Sequence, residues 1–242
     1  MSAVSRDVLD LLPQRFATRY NKGMTVPFSS GLTHAPPPPQ AVRVRDYPSR
    51  ELKRGEVLYR LGDEGEAVFL IEEGLVKLSL DLVSGKERII SIAGPGDLVG
   101  ALTPVHVRYQ DSAEALSPRV RVTIIPSDQL DDASIRQAIL TATGHYLGRL
   151  KEALEDSELP VEGRLARTFL RLGERFGQST GDSRVRLTLP LTHENLAALI
   201  GAARETTTAT LSEMRDEGLL QGTRGSYSFN PADLSEFALT TS

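Results

Sequence analysis

The chain has 242 residues, with 28 Lys and Arg against 32 Asp and Glu, for a formal net charge of −4. This length holds one large domain or two small ones, and 40% hydrophobic with 25% charged residues is the composition of an ordinary soluble globular protein. The absence of cysteine excludes disulfides, thiolate-held iron–sulfur clusters and thiol catalysis, and the acidic balance does not advertise a nucleic-acid partner.

Arg6, Asp7 and Asp10 break any signal-peptide core, and no apolar run approaches a membrane span, so a cytoplasmic protein with no membrane partner is expected. Residues 1–40 read as an extension. Within it Val8, Leu9, Leu11, Leu12 and Phe16 suit one short amphipathic helix, and Pro36 to Pro39 an extended linker or strap. From 41 to 127 short β-branched or aliphatic segments follow one another: VRVRDY, EVLYRLG, AVFLIEEG, LVKLSLDLVSG, KERIISIAGPG and RVRVTIIP. Gly55, Gly62, Gly74, Gly85 and Gly96 stand where corners would fall, and the spacing predicts an all-β sandwich or barrel.

Residues 128–159 predict a long helix and a hinge. Ile135, Ile139, Ala142, Tyr146, Leu150 and Leu154 step by three or four, the period of a coiled-coil seam. Gly144 and Gly148 lower helix propensity by about 1 kcal/mol each and admit close approach of another helix. Such a helix packs either on its own β-domain or on a second copy; a two-fold dimer seam is the expectation. Asp156 to Pro160 is the expected hinge.

Residues 160–242 open with an amphipathic helix carrying Arg164, Leu165, Ala166, Phe169, Leu170, Leu172 and Phe176, then a loop, GQSTGDS, and a short strand, VRLTL. The stretch LTHENLAALIGAARETTTATLSEMRDEGLL, residues 191–220, reads as two short helices around a tight turn. Thr192 is the N-cap. Leu196, Leu199 and Ile200 form a buried face, and Gly201 ends the first helix in a left-handed turn. The second helix starts near Arg204 and sends Thr207, Leu211 and Met214 inward, with Arg204, Glu205, Thr208 and Ala209 outward; Gly218 stops it. QGTRGSYSFN then predicts a hairpin turning at Arg224-Gly225, and Asp233 to Leu239 a last short helix.

An outer face of this kind suits the DNA major groove. Arg donates two bonds to guanine O6 and N7, Glu accepts from cytosine N4, and threonines bond phosphates. The plain alternative is a solvated Arg and Glu on a common helical hairpin. Charge alone votes against DNA: from Pro160 onward there are nine Arg, no Lys and ten Asp or Glu, so the case rests on placement and not on net sign.

The run Leu-Thr-x-Glu-x-Leu-Ala-x-Leu-Ile-Gly, followed by Arg-Glu-Thr and the closing Gly-Leu-Leu, resembles the helix-turn-helix of the cyclic-AMP receptor protein / fumarate-nitrate regulator (CRP/FNR) family of bacterial transcription factors. The set Lys-Arg-Gly-Glu, Leu-Gly-Asp-Glu-Gly, Leu-Ile-Glu-Glu-Gly, Ser-Gly-Lys-Glu and Gly-Pro-Gly-Asp-Leu-Val-Gly is similar to the same family's β-roll sensor domain. The resemblance runs from Val42 to Leu239 and implies an α+β fold: an N-terminal β-roll of cyclic-nucleotide-binding type, a long dimerisation helix and a C-terminal winged helix-turn-helix. It implies a homodimer on a near-palindromic double-stranded site with a half-site like TGTG or GTGA. Arg204, Glu205, Thr208 and Ala209 would face bases, and Thr192, Thr207, Thr210, Ser212 and Arg224 phosphates. A second base-reading Arg is expected where Ala209 stands, whose methyl can meet a thymine methyl. The loop from Gln178 to Arg184 falls where activators of the family touch RNA polymerase, which implies polymerase as a partner and activation as the sign of regulation.

Cyclic-nucleotide binders of the family follow Gly-Asp-Leu-x-Gly with a Glu for the ribose, and hold the phosphate with an Arg-Ser pair. Here Ala101 follows Gly100, and Asp111-Ser112 stands for Arg-Ser. A buried phosphate wants a bidentate cation, and an Asp repels it; Arg108 substitutes only if the loop is rebuilt. Gly100, Ala101, Asp111 and Ser112 therefore read as a degenerate effector pocket, with no cofactor and no dependence on cyclic AMP. His106 lies about where a gas-sensing branch holds haem, but His34, His106, His145 and His193 are scattered and form no metal-ligand cluster. An enzyme is not expected: there is no nucleophile beside a base and no P-loop. The alternative function is a small-molecule sensor acting through a protein partner, with a degenerate reader.

Overall fold

The computed structural model describes residues 47–102, 108–130 and 132–241. The expectations for 1–40, for most of VRVRDY and for His34 and His106 lie outside the described residues.

Eight strands come first: β1 (Ser49–Lys53), β2 (Val57–Tyr59), β3 (Ala67–Glu73), β4 (Val76–Asp81), β5 (Glu87–Ala93), β6 (Leu98–Gly100), β7 (Ser112–Ala115) and β8 (Arg119–Pro126). They form two four-stranded sheets, in the orders β1-β8-β3-β6 and β2-β7-β4-β5, with antiparallel neighbours. Alternation of side chains sends Leu52, Ile71, Val120 and Val122 of the first sheet against Val76, Leu78, Ala113 and Ala115 of the second, and closes a β-roll around one core. All five corner glycines have positive φ, as their places in tight turns require.

A single 3-10 turn, Ser127–Gln129, leads to α1 (Ala133–Ser157), whose first amides are capped by the Asp132 carboxylate at 2.8 and 3.1 Å. Here two members of the expected seam, Ile135 and Ile139, are corrected. Ile135 and Ile139 are buried with Ala138 against Val68, Leu70, Leu98 and Ile125 of the β-roll; Ala142 packs beside them and Tyr146 is half-buried. The outward face carries Leu140 and Leu147, which the expected seam leaves out, with Leu154 and, at its edge, Leu150, which it includes; Leu140, Leu147 and Leu154 are 67%, 60% and 71% exposed. The reason is geometric. Steps of four overshoot a turn of 3.6 residues, so the run from Tyr146 through Leu150 to Leu154 rotates by about 80° and leaves one face for another.

The C-terminal body consists of α2 (Val161–Phe176), β9 (Gln178–Ser179), β10 (Val185–Thr188), α3 (His193–Ile200), α4 (Arg204–Asp216), β11 (Gln221–Thr223), β12 (Ser226–Phe229) and α5 (Pro231–Thr240). Its sheet runs β11-β12-β10-β9, so GQSTGDS is not all loop: Gln178 and Ser179 pair with β10. Phe169 of α2 is wholly buried, edge-on to Tyr227 at 4.9 Å and to Phe229 at 5.9 Å between ring centroids. The same apolar cluster takes in Leu196, Leu211 and Met214, and reaches Ile89, Ile92 and Leu116 of the β-roll.

Polar clamps complete this attachment. Asp156, 4% exposed, accepts from Arg171 at 2.6 Å and Arg167 at 3.3 Å, across the three residues that join α1 to α2. Arg175 pairs with Asp97 and donates to the Ile92 carbonyl at 2.8 Å, and Arg54 donates to the Pro190 carbonyl at 2.8 Å. The apolar joint makes the first prediction: Phe169→Ala lowers the stability of the C-terminal body by about 3–5 kcal/mol, read as the shift of the urea midpoint at constant m.

Candidate nucleic-acid interface and effector pocket

The two helices of the reader are set by local chemistry. The Thr192 hydroxyl accepts from the Asn195 amide at 3.1 Å, and the Asn195 side chain accepts from the Thr192 amide at 3.0 Å, a reciprocal capping box. Gly201 then turns the chain at φ 63° and ψ 42°, and a Cβ at that position would collide with the guanidinium of Arg88. The second helix, α4, begins after Ala203 with no side-chain cap. Its first-turn amides are left to meet an acceptor from outside.

Arg204, Glu205, Thr208 and Ala209 are exposed together, and Ser212, four residues after Thr208, continues that face. Thr207, Leu211 and Met214 are buried on the opposite side. Two of the expected phosphate contacts are thereby corrected. Thr207 is 0% exposed with its hydroxyl donating to the Ala203 carbonyl at 2.9 Å, and Thr210 is also buried, so neither reaches a phosphate. A threonine that satisfies its hydroxyl within the helix serves the core as a β-branched side chain. Thr192 and Arg224 are exposed. Arg224 and Gly225 both have positive φ, 50° and 81°, and Thr223 pairs with Ser226, so the wing closes in a two-residue turn with Arg224 at its tip.

Among the degenerate pocket residues, Gly100, Ala101 and Asp111 line one cavity of about 60 Å³ together with Thr143, Tyr146 and Arg149. Small-molecule sites commonly span about 300–1,000 Å³. Ser112 is turned away and accepts from the Leu61 amide at 3.0 Å. Asp111 is buried and accepts from the Tyr59 hydroxyl at 2.9 Å. Tyr59 stacks on Tyr109 at 4.1 Å and on Phe69 at 5.7 Å within the β-roll core. Arg108 donates to the Gly62 carbonyl at 2.6 Å, at the rim. Burial pushes the Asp111 carboxyl up to about 6, against the hydrogen bonds of Tyr59 and Tyr146. Among the described residues no group of three or more His, Cys, Asp or Glu is placed to hold a metal, and no helix is long and apolar enough to cross a membrane.

The cyclic nucleotide-binding domain family matches residues 49–136 and the Crp-like helix-turn-helix domain family residues 163–237. The cyclic AMP receptor protein of Thermus thermophilus is 30% identical over 215 residues, 86% of this chain and 95% of that protein. The chain belongs to the CRP/FNR family. Further CRP/FNR likenesses include the CRP-like cAMP-activated global transcriptional regulator of Mycobacterium tuberculosis, 29% identical over 71% of this chain and 79% of that protein. In fold the chain is similar to FixK2 from Bradyrhizobium japonicum, with a TM-score of 0.69 and 20% identity over 78% of this chain and 96% of that one. It is thus a transcription regulator with a helix-turn-helix DNA-binding domain and not an enzyme.

Three features of this CRP/FNR protein escaped the sequence. Leu140 and Leu147 belong to the exposed face of α1; the succession of Leu140, Leu147 and Leu154 at intervals of seven is the available signal. Tyr59 and Tyr146, which make the burial of Asp111 tolerable, are far from it in the chain and gave none. His193 reaches the reading face: its Nδ1 lies 3.0 Å from the Thr208 hydroxyl, which itself donates to the Arg204 carbonyl, so Nδ1 carries the proton. Burial, then the charges of Arg215 and Arg204, push His193 down, and the ring is neutral at neutral pH.

Asp111 supplies a pH prediction. Its folded value is raised from the ordinary 3.8 to about 6, so the folded state binds the proton more tightly than the unfolded chain. The stability this group contributes is complete below about pH 4 and is lost as pH rises through about 6. Asp111→Asn keeps an acceptor for Tyr59 and removes the charge. It raises stability near pH 7 by about 1–3 kcal/mol and flattens the decline between about pH 4 and 6, measured by urea titration across pH.

Proposed function

We propose that this chain is a homodimeric, sequence-specific transcription regulator that reads DNA through α4 without cyclic AMP, and that it acts as an activator. The observation that carries this reading is the two-sidedness of α4. One side closes the core through Thr207, Leu211 and Met214, and the other offers Arg204, Glu205, Thr208, Ala209 and Ser212 to an outside surface. Arg204 reads guanine and Glu205 accepts from cytosine. Arg224 on the wing, Thr192 at the α3 cap and Ser212 bond phosphates.

The exposed stripe of Leu140, Leu147 and Leu154 is the dimer seam in this reading, with Leu150 at its edge. A two-fold pair of α1 helices carries two readers to successive major grooves, about 34 Å apart, on a near-palindromic site. Nucleotide independence is supported by the small pocket and by the acid at its floor, although the relatives from T. thermophilus and M. tuberculosis are both named for cyclic AMP. Activation rests on the family placement of the exposed loop around Gly181, where RNA polymerase would be met.

Selection of bound DNA from a random pool, with and without cyclic AMP, tests this reading. A palindromic motif enriched equally in both is expected; a motif enriched only with nucleotide, or none at all, overturns it. Two variants refine the test. Arg204→Ala weakens the selected site by about 1–3 kcal/mol and relaxes one base position while leaving random DNA less affected, as measured by fluorescence anisotropy. Leu147→Lys yields a monomer in sedimentation equilibrium that retains its circular dichroism spectrum and loses the palindromic site.

A further inference from the structure

On the exposed face of α4, one hydroxyl has most of its bonding capacity taken up inside the protein. A threonine hydroxyl has one proton to give and two lone pairs to accept with. The Thr208 oxygen lies 2.9 Å from the Arg204 carbonyl, one turn back on α4, and 3.0 Å from Nδ1 of His193 at the start of α3. A carbonyl only accepts, so the Thr208 proton goes to Arg204, and the proton of the second contact belongs to Nδ1. Were the ring proton on Nε2 instead, the hydroxyl would turn to Nδ1. Two oxygens would then face each other at 2.9 Å with no proton between them. One lone pair of the Thr208 oxygen is left over, and Thr208 is exposed beside Arg204, Glu205 and Ala209.

From this we infer that His193 is a positioning residue that sets base preference: by donating from Nδ1 it holds the Thr208 hydroxyl as an acceptor alone. The inference rests on the reading of DNA by α4. A hydroxyl held in this way pairs with the amino group of adenine N6 or cytosine N4, and meets guanine O6 or thymine O4 lone pair to lone pair. Glu205, an acceptor by its charge, obeys the same rule, whereas Arg204, a donor, obeys the opposite one and takes guanine. A hydroxyl free of His193 would turn to donate or to accept as the base required, and would separate the two classes poorly.

The fold does not need the imidazole for anything else at this point. His193 stands at the first position of α3, and the capping box there is closed by Thr192 and Asn195 without it. The ring is half-buried. Burial, then the charges of Arg215 and Arg204, both on α4, act on it against protonation. Protonation adds a hydrogen at Nε2 and leaves Nδ1–H in place, so the preference held through Nδ1 does not change with pH.

The test is selection of bound DNA from a random pool with the full chain and with three variants, His193→Ala, His193→Asn and Thr208→Val. Thr208→Val keeps the β-branched shape, removes the hydroxyl and so marks the base position it faces. There the unaltered protein is expected to enrich adenine or cytosine over guanine and thymine by about three- to tenfold. His193→Ala levels that preference to within about twofold and leaves the guanine chosen by Arg204 as it was. His193→Asn, whose amide N–H replaces Nδ1–H, restores it, and the preference is the same at about pH 5.5 and about pH 8. A merely structural histidine would instead lower affinity at every position alike. That outcome overturns the inference, as do guanine or thymine at the marked position, no marked position, an unchanged preference in His193→Ala, no rescue by His193→Asn, or a preference that reverses with pH. The tautomer is read without DNA, by long-range proton–nitrogen NMR of the unaltered protein, with the ring identified by the signals lost in His193→Asn. A neutral ring protonated at Nε2 overturns the inference and leaves the reading of DNA by α4 standing. Failure to select any motif overturns that reading, and this inference with it.

Discussion

The carboxylate of Asp156 is the point through which the two halves of the molecule hold their angle. It sits in the last turn of α1, almost without access to water, and its two oxygens are taken by Arg167 and Arg171, one turn apart on α2. A buried carboxylate is tolerable only while its cations stay in place. Rotation of α2 against α1 therefore meets the cost of uncovering an unpaired charge. Because α2 also contributes Phe169 to the core under α3 and α4, the direction of the reader is passed along from the end of α1. The ties of Arg175 to Asp97 and to the Ile92 carbonyl anchor the other end of α2 to the β-roll.

The features legible in the sequence are those whose cause is local. Glycines with positive φ at the β-roll corners, the Thr192 cap, the left-handed Gly201 and the Arg224-Gly225 turn each announce themselves within a few residues, because the backbone conformation demands a particular side chain there. The faces of α1 were harder. One helix carries two apolar stripes with different destinations, and a count of threes and fours runs from one into the other at Leu150. Thr207 and Thr210 differ from the surface reading for a related reason: both lie on the buried side of α4, and the Thr207 hydroxyl is taken up by the carbonyl one turn back.

Polar chemistry was legible at the level of single positions and illegible at the level of pairs. The acid at 111 stands out against a resemblance that calls for a cation, and burial of that acid beside Tyr59 follows the same logic in three dimensions. His193 and Thr208 sit on different helices, 15 residues apart, and nothing in their neighbourhoods along the chain marks them as companions. Convergence of this kind is a product of how α3 and α4 pack across the Gly201 turn, and only the folded arrangement exposes it.

The wing tip has a thermodynamic corollary. Arg224 occupies a left-handed backbone position, φ 50°, that an arginine adopts at a cost and that Asn, Asp or Gly adopts readily. Selection for stability alone would favour a smaller residue there, so the hairpin gives up some of its own free energy to keep a long cation at its apex. The wing thus marks a place in this chain where folding and surface chemistry ask for different side chains.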